Sequence, residues 1–111
     1  MWLLDANMDV HLLDVLRESS IPCESATRLG WGELDNGALV SAAVAAGYTC
    51  LLTRDRLFGE SAASALRAYP AFSIVVVELA QRPWREYQER FRAAWAAGPI
   101  QPLAGRLVFW P

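Results

Sequence analysis

Lysine is absent from the chain, and all ten cations are arginine. A codon bias toward GC explains this more simply than phosphate recognition does, although guanidinium is the better partner for planar oxyanions. Histidine occurs once, at His11, beside leucines on a helical pattern; that setting suits a surface or partly packed side chain rather than a catalytic base. Serine–histidine or cysteine–histidine catalysis would depend on that single ring. The chain has no GxSxG elbow and no P-loop, and Gly30-Trp31-Gly32 does not open a dinucleotide-binding turn. Cysteine is nearly as scarce. Cys23 and Cys50 lack CxxC spacing and fall in strand-like segments, which predicts buried free thiols rather than a zinc site or a disulfide. No apolar run approaches the roughly 18 residues of a membrane span. The start, Met-Trp-Leu-Leu-Asp, has neither a basic region nor a long apolar stretch, so the expected compartment is the cytoplasm.

What is present is an apolar chain of 111 residues, 54% hydrophobic and 20% charged, which excludes disorder and predicts a single domain over residues 1–111. The formal charge of −2 excludes a general nucleic-acid coat, which needs a basic face. It leaves room for a nuclease, whose site concentrates carboxylates around metal ions.

Residues 2–5 read as a short buried strand ending on a carboxylate. Asp9 is then placed to cap a helix with Val10, Leu13 and Leu16 on its apolar face, stopping at Ser19–Ser20 before Pro22. A second strand covers Cys23 to Ala26. After a glycine-rich loop, Asp35 or Asn36 caps a helical run from Ala38 to Ala46, which Gly47 stops. Thr49 to Thr53 is a third strand, residues 61–68 a weak helix, and Phe72 to Leu79 a strand whose β-branched run predicts burial on both faces. Pro83 opens a helix to Ala97 with Trp84, Tyr87, Phe91 and Trp95 at core spacing, and Arg106 to Trp110 is a final edge strand. Alternating strands and helices predict an α/β fold, a mostly parallel sheet of five strands with helices on both faces.

In such sheets the crevice lies at the carboxyl ends of the strands. Asp5 and Asp55 both stand just past a strand end, where paired carboxylates can hold Mg²⁺ or Mn²⁺. Asn7 and Thr53 would orient the shell, Arg54 and Arg56 would meet phosphate, and Asp35 or Glu33 would add a third carboxylate. The competing reading of each aspartate is a helix cap, and Asp35 and Asn36 suit that role best. The arginines 82, 85, 90 and 92 read as the solvated face of the last helix, with contact to phosphate or an acidic partner as the alternative.

Leu3-Leu4-Asp5-Ala6-Asn7, then Asn36-Gly37 opening a helix, then Leu51-Leu52-Thr53-Arg54-Asp55-Arg56-Leu57-Phe58-Gly59-Glu60 together resemble the small PIN-like proteins. These are described as ribonuclease toxins of toxin–antitoxin pairs. The segment from Gly30 to Gly37, followed by Gly47-Tyr48-Thr49-Cys50-Leu51-Leu52-Thr53, is similar to one branch of them, and the likeness covers most of the chain. The resemblance implies a three-layer, Rossmann-like PIN-like domain whose acidic residues bind Mg²⁺ or Mn²⁺ and cleave single-stranded RNA. By position, Asp5 would be the first metal ligand and Asp55 the third. The chain departs from the pattern at Ala6, at Asn36 and Ala38, and at Leu57, where related proteins carry acids. A pair of cations about 4 Å apart needs more negative charge than remains. Asp35, Glu33 and Glu60 are the candidate substitutes.

Two functions follow as expectations. One is a metal-dependent endoribonuclease toxin using Asp5, Asp55 and Asp35, with Asn7, Asn36, Thr53, Arg54 and Arg56 toward the substrate, neutralised by a small antitoxin. The other is a PIN-like module with a degraded metal site that binds protein or RNA without cleavage. Five tryptophans and the apolar end Leu107 to Trp110 further predict a homodimer.

Overall fold

Side chains along a strand alternate between faces, and the apolar strands of this chain bury both. Trp2, Leu4, Cys50, Leu52, Val75, Val77 and Trp110 point to one face, where they pack with Leu12, Leu13 and Leu16 and with Tyr87 and Phe91. Leu3, Leu51 and Ile74 point to the other, against Leu39, Val40, Ala43, Ala62 and Leu66. Two separate cores on opposite faces of one sheet make a three-layer α/β domain.

The structure is a computed structural model and describes residues 1–111. Its strands are β1 (Trp2–Leu4), β2 (Cys23–Ser25), β3 (Cys50–Thr53), β4 (Ser73–Val77) and β5 (Leu107–Trp110). Its helices are α1 (Leu12–Glu18), α2 (Asn36–Ala45), α3 (Arg56–Ala62), which tightens into a 3₁₀ turn over Ala63–Arg67, and α4 (Trp84–Ala97). All five strands pair in parallel in the order β2-β1-β3-β4-β5, so the sheet is wholly parallel, and β5 is an edge as expected. No helix is long and apolar enough to cross a membrane. Both cysteines are free and buried.

The elements follow the sequence reading with shifted ends: α2 begins at Asn36 rather than Ala38, β4 stops at Val77 rather than Leu79, and two helix starts bear on the site. The helix expected from Asp9 begins at Leu12, because the Asp9 carboxylate accepts the His11 N–H at 2.9 Å and closes a turn ahead of it. The helix expected at 61–68 begins at Arg56. Asp55 caps it, its Oδ1 accepting the Phe58 N–H at 3.0 Å, so Arg56 falls in the first turn of the helix. Elsewhere the expected stops hold: Asp35 caps α2 by accepting the Ala38 N–H at 2.8 Å, and Gly47 turns the chain out of it at φ +91°.

The earlier start of α3 presses Gly59 against the sheet. A Cβ there would lie 2.6 Å from Val76 Cγ2 and 3.2 Å from Leu107 Cδ1. Val76 is buried and branched at Cβ, so it has little freedom to yield. Gly59→Ala should therefore destabilise the domain by about 1–3 kcal/mol, the usual range for overpacking, as read by urea unfolding. An unchanged midpoint would show that the helix slides away from β4 at no cost.

Candidate functional site

The strand order places a change of direction between β1 and β3: the chain winds outward from β1 to β2 on one side and from β3 through β5 on the other. In open parallel sheets a crevice opens at such a point, outside the carboxyl ends of the strands. Asp5 follows β1 and Thr53 ends β3 there. The register Leu4↔Leu52 continues through the Asp5 N–H, which donates to the Leu52 carbonyl at 2.9 Å.

One hydroxyl organises the cluster. Thr53 is fully buried, and its Oγ1 donates to Asp5 Oδ2 at 2.8 Å. The same oxygen accepts from Asn7 Nδ2 at 3.2 Å and from the Asp55 N–H at 3.1 Å. Asn7 in turn accepts the Arg54 N–H on its Oδ1 at 3.2 Å. Asp5 is itself buried, and its Oδ1 takes the Ala6 N–H at 2.7 Å. Burial pushes the Asp5 carboxyl above the usual Asp range; the hydrogen bonds from Thr53 and Ala6 pull it back, and the negative charge of Asp55 adds to the rise. Thr53 thus ties the buried Asp5 carboxylate to the backbone of Asp55 at the strand ends.

The expected site residues do not all arrive together. Asp5, Asn7, Thr53, Arg54 and Asp55 do. Asp35 serves as the α2 cap, and Asn36 reaches α3 instead, its Nδ2 donating to the Phe58 carbonyl at 3.5 Å. Arg56 lies over the Phe109 ring at 4.9 Å, with Glu60 at 3.8 Å and Glu78 at 3.9 Å, toward β4 and β5. No group of three or more His, Cys, Asp or Glu side chains that could hold a metal ion is formed. The donor chemistry at Asp5 and Asp55 still suits a hard cation, because Mg²⁺ keeps several waters and is often held by one or two carboxylates together with substrate phosphates. The residues therefore fit one hydrated cation and not a close pair.

Sequence reading missed a second part of the crevice. A cavity of about 210 Å³ opens between the segments that follow β1, β3 and β4, lined by Ala6, Asn7, Met8, Asp9, Arg54, Gln81, Arg82 and Tyr87. Tyr87 sits at core spacing on α4 like Phe91, and only its hydroxyl distinguishes it. Gln81 carries no signal in the sequence, and Arg82 groups there with the arginines of the solvated helix face. Comparisons with protein-family models, curated proteins and solved structures gave no match.

Thr53→Val should remove the donor from Asp5 and the acceptor for Asn7 and Asp55, at a cost of about 1–3 kcal/mol for groups left unpaired in a buried setting. It should also raise the Asp5 pKa further, whereas Asp55→Asn should lower it. Carboxyl-carbon NMR titration reads both shifts. The sign for stability follows. A group whose folded pKa is raised contributes fully below its unfolded value and loses that contribution as pH rises through the folded one. An Asp5 midpoint unmoved by Asp55→Asn would mean the two carboxylates do not interact.

Proposed function

We propose that this chain is a PIN-like, metal-dependent endoribonuclease that cleaves single-stranded RNA at the crevice between β1 and β3. The observation that carries the reading is the buried Asp5 carboxylate, tied through the Thr53 hydroxyl to the backbone of Asp55 at the point where the sheet reverses its winding. A cation there would offset the cost of burying the Asp5 charge. The sequence resemblance supports the same assignment, since Asp5 and Asp55 are the positions it gives to metal ligands.

In this reading Asp5 and Asp55 hold a single Mg²⁺ or Mn²⁺, with Asn7 beside them. When bound, the ion supplies charge neutralisation at the phosphodiester and a more acidic water. The chain's own residues do the rest. Thr53 fixes Asp5 in one rotamer and denies it to solvent, so the carboxylate is set before substrate arrives. Arg54 is held by its backbone on Asn7 Oδ1 and by its guanidinium on the Asn7 carbonyl at 3.2 Å, which points a fixed cation at the RNA backbone. Asp35, the cap of α2, is the further acid this reading assigns to the site. A small antitoxin protein that covers the crevice, a homodimer and a cytoplasmic setting complete the proposal.

A second reading has its own support. One oxygen of Asp5 and one of Asp55 are already taken by backbone N–H groups, and no third acid joins them. That arrangement suits a PIN-like module that binds a partner without cleaving it. Calorimetric titration with Mn²⁺ separates the two. The enzyme predicts saturable binding in the wild type that disappears in Asp5→Asn, and metal-dependent cleavage of unstructured RNA that the same substitution abolishes. Flat traces from both proteins would overturn the nuclease and leave the binding module.

A further inference from the structure

The only buried side-chain polar atom without a hydrogen-bond partner in the whole chain is the Tyr87 hydroxyl. Tyr87 is 3% exposed, and leaving such a group unpaired costs about 1–3 kcal/mol. Its surroundings show where the partner would come from. Tyr87 lines the 210 Å³ cavity, and the charges its phenol senses are those of Arg54 and Asp9, which line the same cavity. Burial holds that phenol up at about 12, so at neutral pH it carries its proton and offers a donor.

The remaining lining is set for an anion. The Arg54 guanidinium is braced by the Asn7 carbonyl at 3.2 Å and by Gln81 Oε1 at 3.1 Å, and it lies 6.0 Å from the Tyr87 ring centroid. Two contacts leave most of its N–H donors unspent. Arg82 brings a second cation, tied only loosely to Glu86 at 3.9 Å. The one carboxylate in the lining, Asp9, is engaged by His11, whose ring nitrogen stands 2.6 Å from Asp9 Oδ1 and whose N–H donates to the same oxygen. Two guanidinium groups and the unpaired Tyr87 phenol match a tetrahedral oxyanion, which takes several donors at once. At about 210 Å³ the space is several times the roughly 30 Å³ that a water occupies, so it admits a phosphate with part of its sugar.

We propose that Arg54, Arg82 and the Tyr87 hydroxyl form a phosphate subsite that grips a nucleotide phosphate of the RNA strand beside Asp5 and Asp55. The assignment rests on the nuclease reading for the identity of the strand. The grip itself needs no metal, because no carboxylate of the acidic pair lines the cavity. Asn7 joins the two places: it lines the cavity and hydrogen-bonds Thr53, which holds Asp5.

Calorimetry on the full chain in the presence of a chelator tests this apart from metal binding, with adenosine 5′-monophosphate, adenosine and inorganic phosphate as probes. The monophosphate should bind, more tightly than inorganic phosphate, and adenosine should not. Tyr87→Phe should weaken the monophosphate roughly tenfold, the worth of one hydrogen bond to a charged group, with no loss of Tm. Arg82→Gln, which leaves both cores untouched, should weaken it by a similar factor. Equal affinity for phosphate and monophosphate would overturn the nucleotide assignment. Silence from all three probes would overturn the subsite. So would a Tyr87→Phe protein that binds as before but melts lower, since the hydroxyl would then serve a structural water. Failure here with intact Mn²⁺ binding leaves the acidic pair standing, and the reverse result leaves the subsite.

Discussion

The hydrogen bond from the Thr53 hydroxyl to the Asp5 carboxylate is the joint on which the candidate site turns. It is buried, short at 2.8 Å and made to a group whose charge burial disfavours. Without it, Asp5 would be a carboxylate in an apolar layer with one backbone N–H for company, and the balance would move further toward the protonated acid. The other lone pairs of the same hydroxyl oxygen receive the Asn7 amide and the Asp55 N–H, so the ends of β1 and β3 and the entry to α3 meet at one atom. Disturbance at any of the three is felt by the other two.

That joint exists because the sheet is wholly parallel. Each strand must be left and re-entered by a crossover, so each strand end releases the chain into a loop on the same side. The two cores fix how these loops are spaced. α1 and α4 share one face and set the distance between the segment after β1 and the segment before α4, where Gln88 Nε2 donates to the His11 carbonyl at 2.7 Å. Stacking of His11 on Trp84 at 3.9 Å reinforces the same approach. The cavity beside the acidic pair is the space left between those segments once the core beneath them has packed.

Most of the architecture was legible in the sequence, for reasons visible residue by residue. The run Ile74 to Val77 reads as a doubly buried strand because nothing polar interrupts it, and all four residues are buried. Asp35 reads as a cap because an aspartate before a helical pattern has few better uses. Asp55 reads as a candidate cap of the next helix and is one, but the sequence pattern places that helix at 61–68 rather than from Arg56, because its first turn carries Arg56 and Gly59 instead of an apolar pattern. Within the site, Asp5, Asn7, Thr53 and Asp55 were found because strand ends are where side chains converge. Arg56 was drawn elsewhere by Glu60 one helical turn on, and by Glu78 and the Phe109 ring, which sequence spacing does not bring near it. The cavity was invisible: its far wall comes from Gln81, Arg82 and Tyr87, and a tyrosine at core spacing looks like a phenylalanine until its hydroxyl proves to have no partner.

Asp55 carries two duties that different side chains satisfy separately. As the cap of α3 it needs a short side chain with an acceptor at the right reach, a requirement that asparagine, serine and threonine also meet. As a neighbour of Asp5 it matters through its charge, which glutamate would keep while capping less well. Related sequences under selection for folding alone would thus drift among Asp, Asn, Ser and Thr at this position. Those under selection for a charged crevice would be confined to aspartate, the one residue that is both short and anionic. The substitutions tolerated at position 55 therefore form a historical record of whether the acidic pair has been kept for its chemistry or only for the helix that one member begins.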